Sequence, residues 1–245
     1  MRDLNDYQKQ YIKNNPFEEN MVRYRRKNVF KYIKKYSPKK FLEIGCANDP
    51  IFNYLEEFDK FIVIEPAKKF FENALNLSLN HKDKNNIQII NNFFSRKIIH
   101  LRDLDFIICT GLLHEINNPK EFLRDIYNTA DKNSIVHINV PNIFSFHRML
   151  GLKAGIIKDL SEKSEFQKRF QQNKFFSMVQ LKKLVNSLGF KIIDSGFITF
   201  KPFTHIQMQE LIDKNILSLE LVDALSEMID ICPEYGAEIY MNLVK

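Results

Sequence analysis

Several absences narrow the problem. No run of about 18 or more apolar residues occurs in the 245 positions, so the sequence predicts no membrane-spanning helix. The opening residues, Met1-Arg2-Asp3-Leu4-Asn5-Asp6, are polar and unlike a secretory signal. Cysteine is scarce. Cys46, Cys109 and Cys232 are odd in number and far apart, which speaks against a disulfide framework or a zinc knuckle and suits a reducing, cytoplasmic setting. A phosphate-binding P-loop, a Ser or Cys nucleophile with His and Asp, and metal-ligand spacing are all missing, so no metal is expected.

Basic charge is also missing from most of the chain. Residues 1–40 hold twelve Lys and Arg against four Asp and Glu, a local +8, while the remainder nets −2 of the total +6. A general nucleic-acid surface would be basic over the fold itself, so a nucleic-acid partner is not expected.

What is present is a pattern of buried strands that end at acids. Phe41-Leu42-Glu43-Ile44-Gly45-Cys46-Ala47-Asn48-Asp49-Pro50 runs apolar to a carboxylate and then turns through small residues. Phe61-Ile62-Val63-Ile64-Glu65-Pro66 repeats the logic. Two acids about twenty residues apart at strand ends suit a nucleoside ligand, which an open α/β sheet holds outside the carboxyl ends of its strands. Gly45 allows close backbone approach. Glu65 is placed to accept hydrogen bonds from a ribose diol.

The segment Glu43-x-Gly45-x-Ala47-x-Asp49, with the acid at Glu65, resembles motif I and the following acidic motif of class I S-adenosylmethionine-dependent methyltransferases. The usual family form is acid-x-Gly-x-Gly-x-Gly. Ala47 and Asp49 stand where it has its second and third glycines. The resemblance covers about residues 38–142 clearly and the C-terminal third moderately. It implies a Rossmann-like α/β fold, a mostly parallel seven-stranded sheet with helices on both faces, and S-adenosylmethionine as cofactor. By the same resemblance Glu43, Gly45, Cys46, Ala47, Glu65, Pro66, Phe94, Ser95, Gly111 and Leu112 bind the cofactor. Asn92 and Phe93 are further candidates beside the adenine.

The alternation supports that layout. Helices are expected over 5–36, broken at Asn14-Asn15-Pro16, with an apolar stripe of Tyr7, Tyr11, Ile12, Met21, Val22, Val29, Tyr32 and Ile33. A strand at 40–44 leads to a helix after Pro50 carrying Ile51, Phe52, Tyr54, Leu55 and Phe58. A strand at 61–65 and a helix at 67–79 follow, with Phe70, Phe71, Ala74, Leu75 and Leu77 inward. His81 then falls in an exposed polar loop. Strands at 87–91, 104–109 and 134–140, with a helix opened by Asn118-Pro119, complete the parallel series. Residues 143–174 break the rhythm and read as a helical insert. A helix at 175–188, a strand at 190–200, helical structure over 207–231 and a final strand at 237–244 close the chain. The domain division is therefore an N-terminal helical cap at 1–37 and a methyltransferase domain at 38–245.

Methyl transfer from a sulfonium mainly needs alignment and a dry site, and a hydroxyl acceptor also needs a base. His114 past the fourth strand and His147 on the insert are the catalytic candidates, with Glu115 beside His114 to fix a tautomer. Asn142, Arg148, Tyr11, Arg23, Arg26 and His205 are the candidates for acceptor binding. The arginines have an equally open reading as a solvated basic face. His100 and His137 read as ordinary loop and strand residues. The Asn/Asp-Pro-Pro-Tyr tetrad of adenine and amide N-methylation is absent. Pro141-Asn142 followed by Phe146-His147-Arg148-x-Leu150-Gly151 is similar to stand-alone methyltransferases of bacterial surface-polysaccharide gene clusters. That resemblance implies O-methylation of a nucleotide-sugar, sugar-phosphate or other small polar intermediate. Two alternatives stay open: RNA or protein methylation, with the basic N-terminal segment as electrostatic handle, and a module that has lost its cofactor through Ala47 and Asp49.

Overall fold

The computed structural model describes residues 3–13, 15–95 and 101–245, without the side chains of Ile12, Lys13 and Phe166. His100, Asn14 of the helix break and Ile12 of the apolar stripe thus lie outside what is described. Seven strands form one sheet: β1 (Lys40–Ile44), β2 (Lys60–Ile64), β3 (Ile87–Ile90), β4 (Phe106–Thr110), β5 (Ile135–Pro141), β6 (Lys191–Ile198) and β7 (Glu238–Val244). Their order is β3-β2-β1-β4-β5-β7-β6. The first five run parallel, and β7 inserts antiparallel between β5 and β6. The parallel series is what the alternation predicts, and the whole is the class I Rossmann-like arrangement that the resemblance implies.

The central strands carry apolar residues toward both faces because both faces are covered. Leu42, Ile44, Ile62, Ile64, Ile107, Val136, Ile138 and Val140 point to one face. There they meet α4 (Pro119–Thr129) and α7 (Met178–Asn186) through Leu123, Ile126, Leu181 and Val185. Phe41, Phe61, Val63, Phe106 and Ile108 point to the other. There they meet α2 (Glu18–Tyr36) through Met21, Tyr24, Val29 and Tyr32, and α3 (Lys68–Leu79) through Ala74. On the same side α8 (His205–Asp213) and α9 (Leu219–Glu227) contribute Met208 and Val222. Beyond the sheet lie α1 (Leu4–Lys13) and the insert helices α5 (Phe146–Lys153) and α6 (Glu165–Arg169). No helix among the described residues is long and apolar enough to cross a membrane.

Three local expectations change. The helix after Pro50 is only a 3₁₀ turn, Ile51–Tyr54. The Glu43 carboxylate takes the Ile51 N–H, and the bonds from Asn53 and Leu55 reach back three residues rather than four. Leu75 is 38% exposed, on the outer side of α3. His81 is tucked in rather than exposed, because its ring packs on Phe52 and Phe58 at 5.6 and 5.7 Å between centroids. His137 is a buried strand residue as expected. Its Nδ1 lies 2.8 Å from Asn242 Oδ1, and burial pushes its pKa down to about 4.

Candidate functional site

Strand order reverses between β1 and β4, and the chain departs from their carboxyl ends in opposite directions, which opens a crevice. A single cavity of about 1150 Å³ occupies it, roofed by α1, α2 and the insert.

One end is built from the turns after β1, β2 and β4. Gly45 has φ +77°, and a Cβ there would sit 3.4 Å from Leu112 Cδ2, so the loop lies flat against the β4 turn. Ala47 is also left-handed, at φ +48°. Glu65 Oε1 accepts from the Ala67 N–H at 2.8 Å, and its Oε2 accepts from the Ala47 N–H at 3.2 Å. One carboxylate thereby ties the β1 and β2 turns together. Glu43 is buried, and loss of hydration pushes its pKa up to about 8. The Cys46 thiol is pushed up by the same burial.

Asp49 lines this end with its carboxylate held by neighbours. Its carboxylate pairs with Arg26 Nη2 at 2.5 Å and accepts from the Tyr54 hydroxyl at 2.7 Å, while the Arg26 guanidinium lies 4.3 Å from the Tyr54 ring centroid. Pro66, Phe94, Gly111 and Leu112 complete the wall, and Ser95 is not part of it. Phe93, half exposed, borders the cavity close by.

The other end lies under α1, α2, the insert and the segment before α8. Tyr11 packs edge-on against Phe70, with centroids 5.4 Å apart. His114 is buried in the 3₁₀ turn Leu113–Glu115, with its Nε2 3.9 Å from Glu115 Oε1. His147 borders the cavity from α5. Burial first, then the charges of Lys201, His205 and Arg148, hold its pKa well below the usual histidine range. His205 opens α8 with its ring 6.0 Å from that of Phe17, and burial lowers its pKa in the same way.

Three candidates for acceptor binding are bonded within the protein, Asn142 and Arg148 at the cavity wall and Arg23 outside it. Asn142 donates through Nδ2 to the carbonyls of Glu234 and Gly236, both at 3.0 Å, and its Oδ1 accepts from the Phe144 N–H. Its amide holds the end of β5 to the turn before β7. Arg148 donates to Gln167 Oε1 at 3.0 Å and to the carbonyls of Leu160 and Glu162, which folds the insert. Arg23 lies outside the cavity wall, paired with Asp223 at 2.5 Å. Among the described residues of the basic N-terminal segment, Arg23, Arg25 and Arg26 each pair with an acid of the fold.

Four charged wall residues escaped the sequence reading. Arg25 donates through Nε to both oxygens of Glu238, at 2.8 and 3.1 Å, and through Nη1 to Glu18 at 2.8 Å. Asn139 Nδ2 also donates to Glu238. The fourth is Lys201, 3% exposed, whose pKa burial lowers to about 7 against the pull of Glu238 and Glu18. A signal existed for two of them. Arg25 falls on the buried stripe between Met21 and Val29, and Glu238 heads an apolar strand as Glu43 and Glu65 end theirs. Among the described residues no group of three His, Cys, Asp or Glu is arranged to hold a metal ion.

A family model described as a methyltransferase domain matches residues 21–195. No curated protein sequence matches the chain. Among solved structures, the plantazolicin methyltransferase in complex with a triazolic analogue and SAH is 14% identical. The match covers 98% of this chain and 95% of that one at a TM-score of 0.58. An S-adenosylmethionine-dependent methyltransferase of Thermotoga maritima, described as a possible histamine N-methyltransferase, is 18% identical over 94% of this chain and 97% of that one, with a TM-score of 0.54. Magnesium protoporphyrin IX methyltransferase of Synechocystis PCC 6803, with bound SAH, is 10% identical over 89% and 81%, with a TM-score of 0.57. At these identities the likeness is one of fold.

Proposed function

The chain belongs to the methyltransferase domain family and is an S-adenosylmethionine-dependent methyltransferase; from that premise we propose that it methylates a hydroxyl of a small polar acceptor, of the sugar-phosphate or nucleotide-sugar class. The observation that carries this is the single roofed cavity, which runs from the Glu65 turn to the His147 wall. A roof of helices favours a small acceptor over a folded macromolecule. Residues 1–37 act on this reading as the cap, and the expected setting is cytoplasmic.

The near end fits the donor. The Gly45 backbone is bare where a nucleoside would approach, and the Glu65 carboxylate, with about four acceptor positions, suits a ribose diol. Phe93 and Phe94 flank the place of the base, and Gly111 and Leu112 line the place of the methionine part. Bound there, S-adenosylmethionine supplies an electrophilic methyl group on a good leaving group.

The protein's own part is alignment, exclusion of water and one proton. His147 stays neutral over the physiological range because its pKa is low, and its Nδ1 has no hydrogen-bond partner among the described residues. It is our choice of proton acceptor from the acceptor hydroxyl, and His114 is the second candidate. Tyr11, Arg26 and His205 shape the space around them.

The test is incubation with S-adenosylmethionine and a panel of sugar-phosphates, nucleotide-sugars and a short RNA, read by mass. A gain of one methyl on a small member is expected. Methylation of the RNA alone would overturn the acceptor class.

A further inference from the structure

One wall of the cavity holds a buried lysine that has no direct partner among the described residues. Lys201 lies between β6 and α8, three residues before Thr204, the N-cap of α8. It borders the cavity at 3% exposure, and its ammonium has no hydrogen bond or ion pair among the described residues. Lysine is almost never fully buried unless paired, because a buried charge without a partner is costly. The acids that face it, Glu238 and Glu18, share one bonded cation, Arg25, so Lys201 offsets their remaining charge from a distance and the excess positive charge of this wall is that of Arg148.

Arg148 bonds only to neutral acceptors, a side-chain amide and two carbonyls, and its Nε has no partner. Asp159 and Glu162 act on it from the exposed insert without forming an ion pair. Lys201, Arg148 and His147 all line this cavity, and the charges of the first two act on His147.

We propose that Lys201 is the contact for an anionic group of the acceptor, a carboxylate or a phosphate, in a subsite made positive by Arg148 and closed by His147 and His205. This rests on the reading of the cavity's far end as the acceptor site. Lys201 serves as a point charge with three donors, and Arg148 contributes field rather than contact. Burial brings the ammonium down to about 7 in the empty wall, and an arriving anion favours its proton again. The anion also fixes the acceptor's orientation before reaction, which is where a methyl transfer gains most.

Three probes that differ at one terminal group test the proposal: glycerol, glycerate and glycerol 3-phosphate, at matched ionic strength with potassium chloride. Binding to the protein is read by calorimetry and thermal shift, with and without SAH. Both anions are expected to bind at least tenfold more tightly than glycerol. K201M should abolish the difference, and K201R should keep most of it. K201M removes a buried charge with little change of volume, and K201Q carries the comparison if K201M does not fold. The better of the two anions tells a carboxylate acceptor from a phosphate one. Equal binding of all three probes by the wild type, or an anion preference that survives in K201M, overturns the proposal. SAH affinity is measured in the same samples. Its absence would overturn the donor reading while the comparison without SAH still decides the role of Lys201.

Discussion

Arg25 and Glu238 join the second helix to the first residue of the last strand, 213 positions apart, through two hydrogen bonds on one guanidinium nitrogen. Glu18 holds the other end of the same guanidinium, so a cation lies between two acids in the cavity wall. Burial still raises the carboxyl pKa of Glu238, with Arg25 opposing it. The arrangement anchors the roof to the start of an inner strand, β7, beside the site.

Removing Arg25 should therefore cost more than removing an exposed pair. R25A leaves two acids facing the cavity without their cation, and a loss of about 3 kcal/mol is expected from the range for broken buried pairs. R25M combined with E238Q should recover much of it. Denaturant titration measures both, and a change under 1 kcal/mol for R25A would remove this clamp from the stability of the fold.

Glu65→Ala tests the donor end. The carboxylate suits charge-assisted hydrogen bonds to a ribose, so SAH affinity should fall by about 1–3 kcal/mol. It also loses its bonds to Ala47 and Ala67, so the melting temperature should fall as well. Calorimetry with SAH reads the first effect, and unchanged affinity would detach Glu65 from the cofactor.

Ala47 is left-handed at φ +48°, in the place of a family glycine. A47G relieves a strain of about 1 kcal/mol, at the lower end of the cost of that conformation. The variant is expected to melt slightly higher and to bind SAH at least as well. A lower melting temperature would show that the alanine methyl packs usefully.

His147→Ala should slow turnover by about 10²–10⁴ if the imidazole takes the proton, with SAH affinity nearly intact. The pH profile gives an independent sign. A histidine of ordinary pKa would become protonated, and activity would fade, below about 6.5. His147 is held well below that, so kcat should stay level through pH 6.5 and fall only in more acid solution.

Lys201 sets the opposite limb. Its pKa is lowered to about 7, so the ammonium is present below that pH and is lost above it. Glu18, Glu238, Arg25, His147 and His205 face it from the surrounding elements, and the acids keep the value from falling further. With a carboxylate acceptor, kcat/KM should decline as pH rises past about 7, and K201R should flatten the decline. A profile unchanged by K201R would separate Lys201 from the acceptor.

The strands, their parallel order and the acids at their ends were legible in the chain, because burial on both faces writes a continuous apolar run that a carboxylate interrupts visibly. The amphipathic helices were legible for a similar reason, since one face must match the core. The 3₁₀ turn after Pro50 was not, because a distant carboxylate claims the Ile51 N–H. Nor were the partners of the polar side chains. Arg23, Asn142 and Arg148 read alike as ligand contacts in the sequence, and only the tertiary structure gives them bonds within the fold, to partners as many as 200 positions away. Lys201 is the converse. Its position in the sequence is unremarkable, and it stands out only because the tertiary structure buries it against the cavity with no acid in direct contact among the described residues.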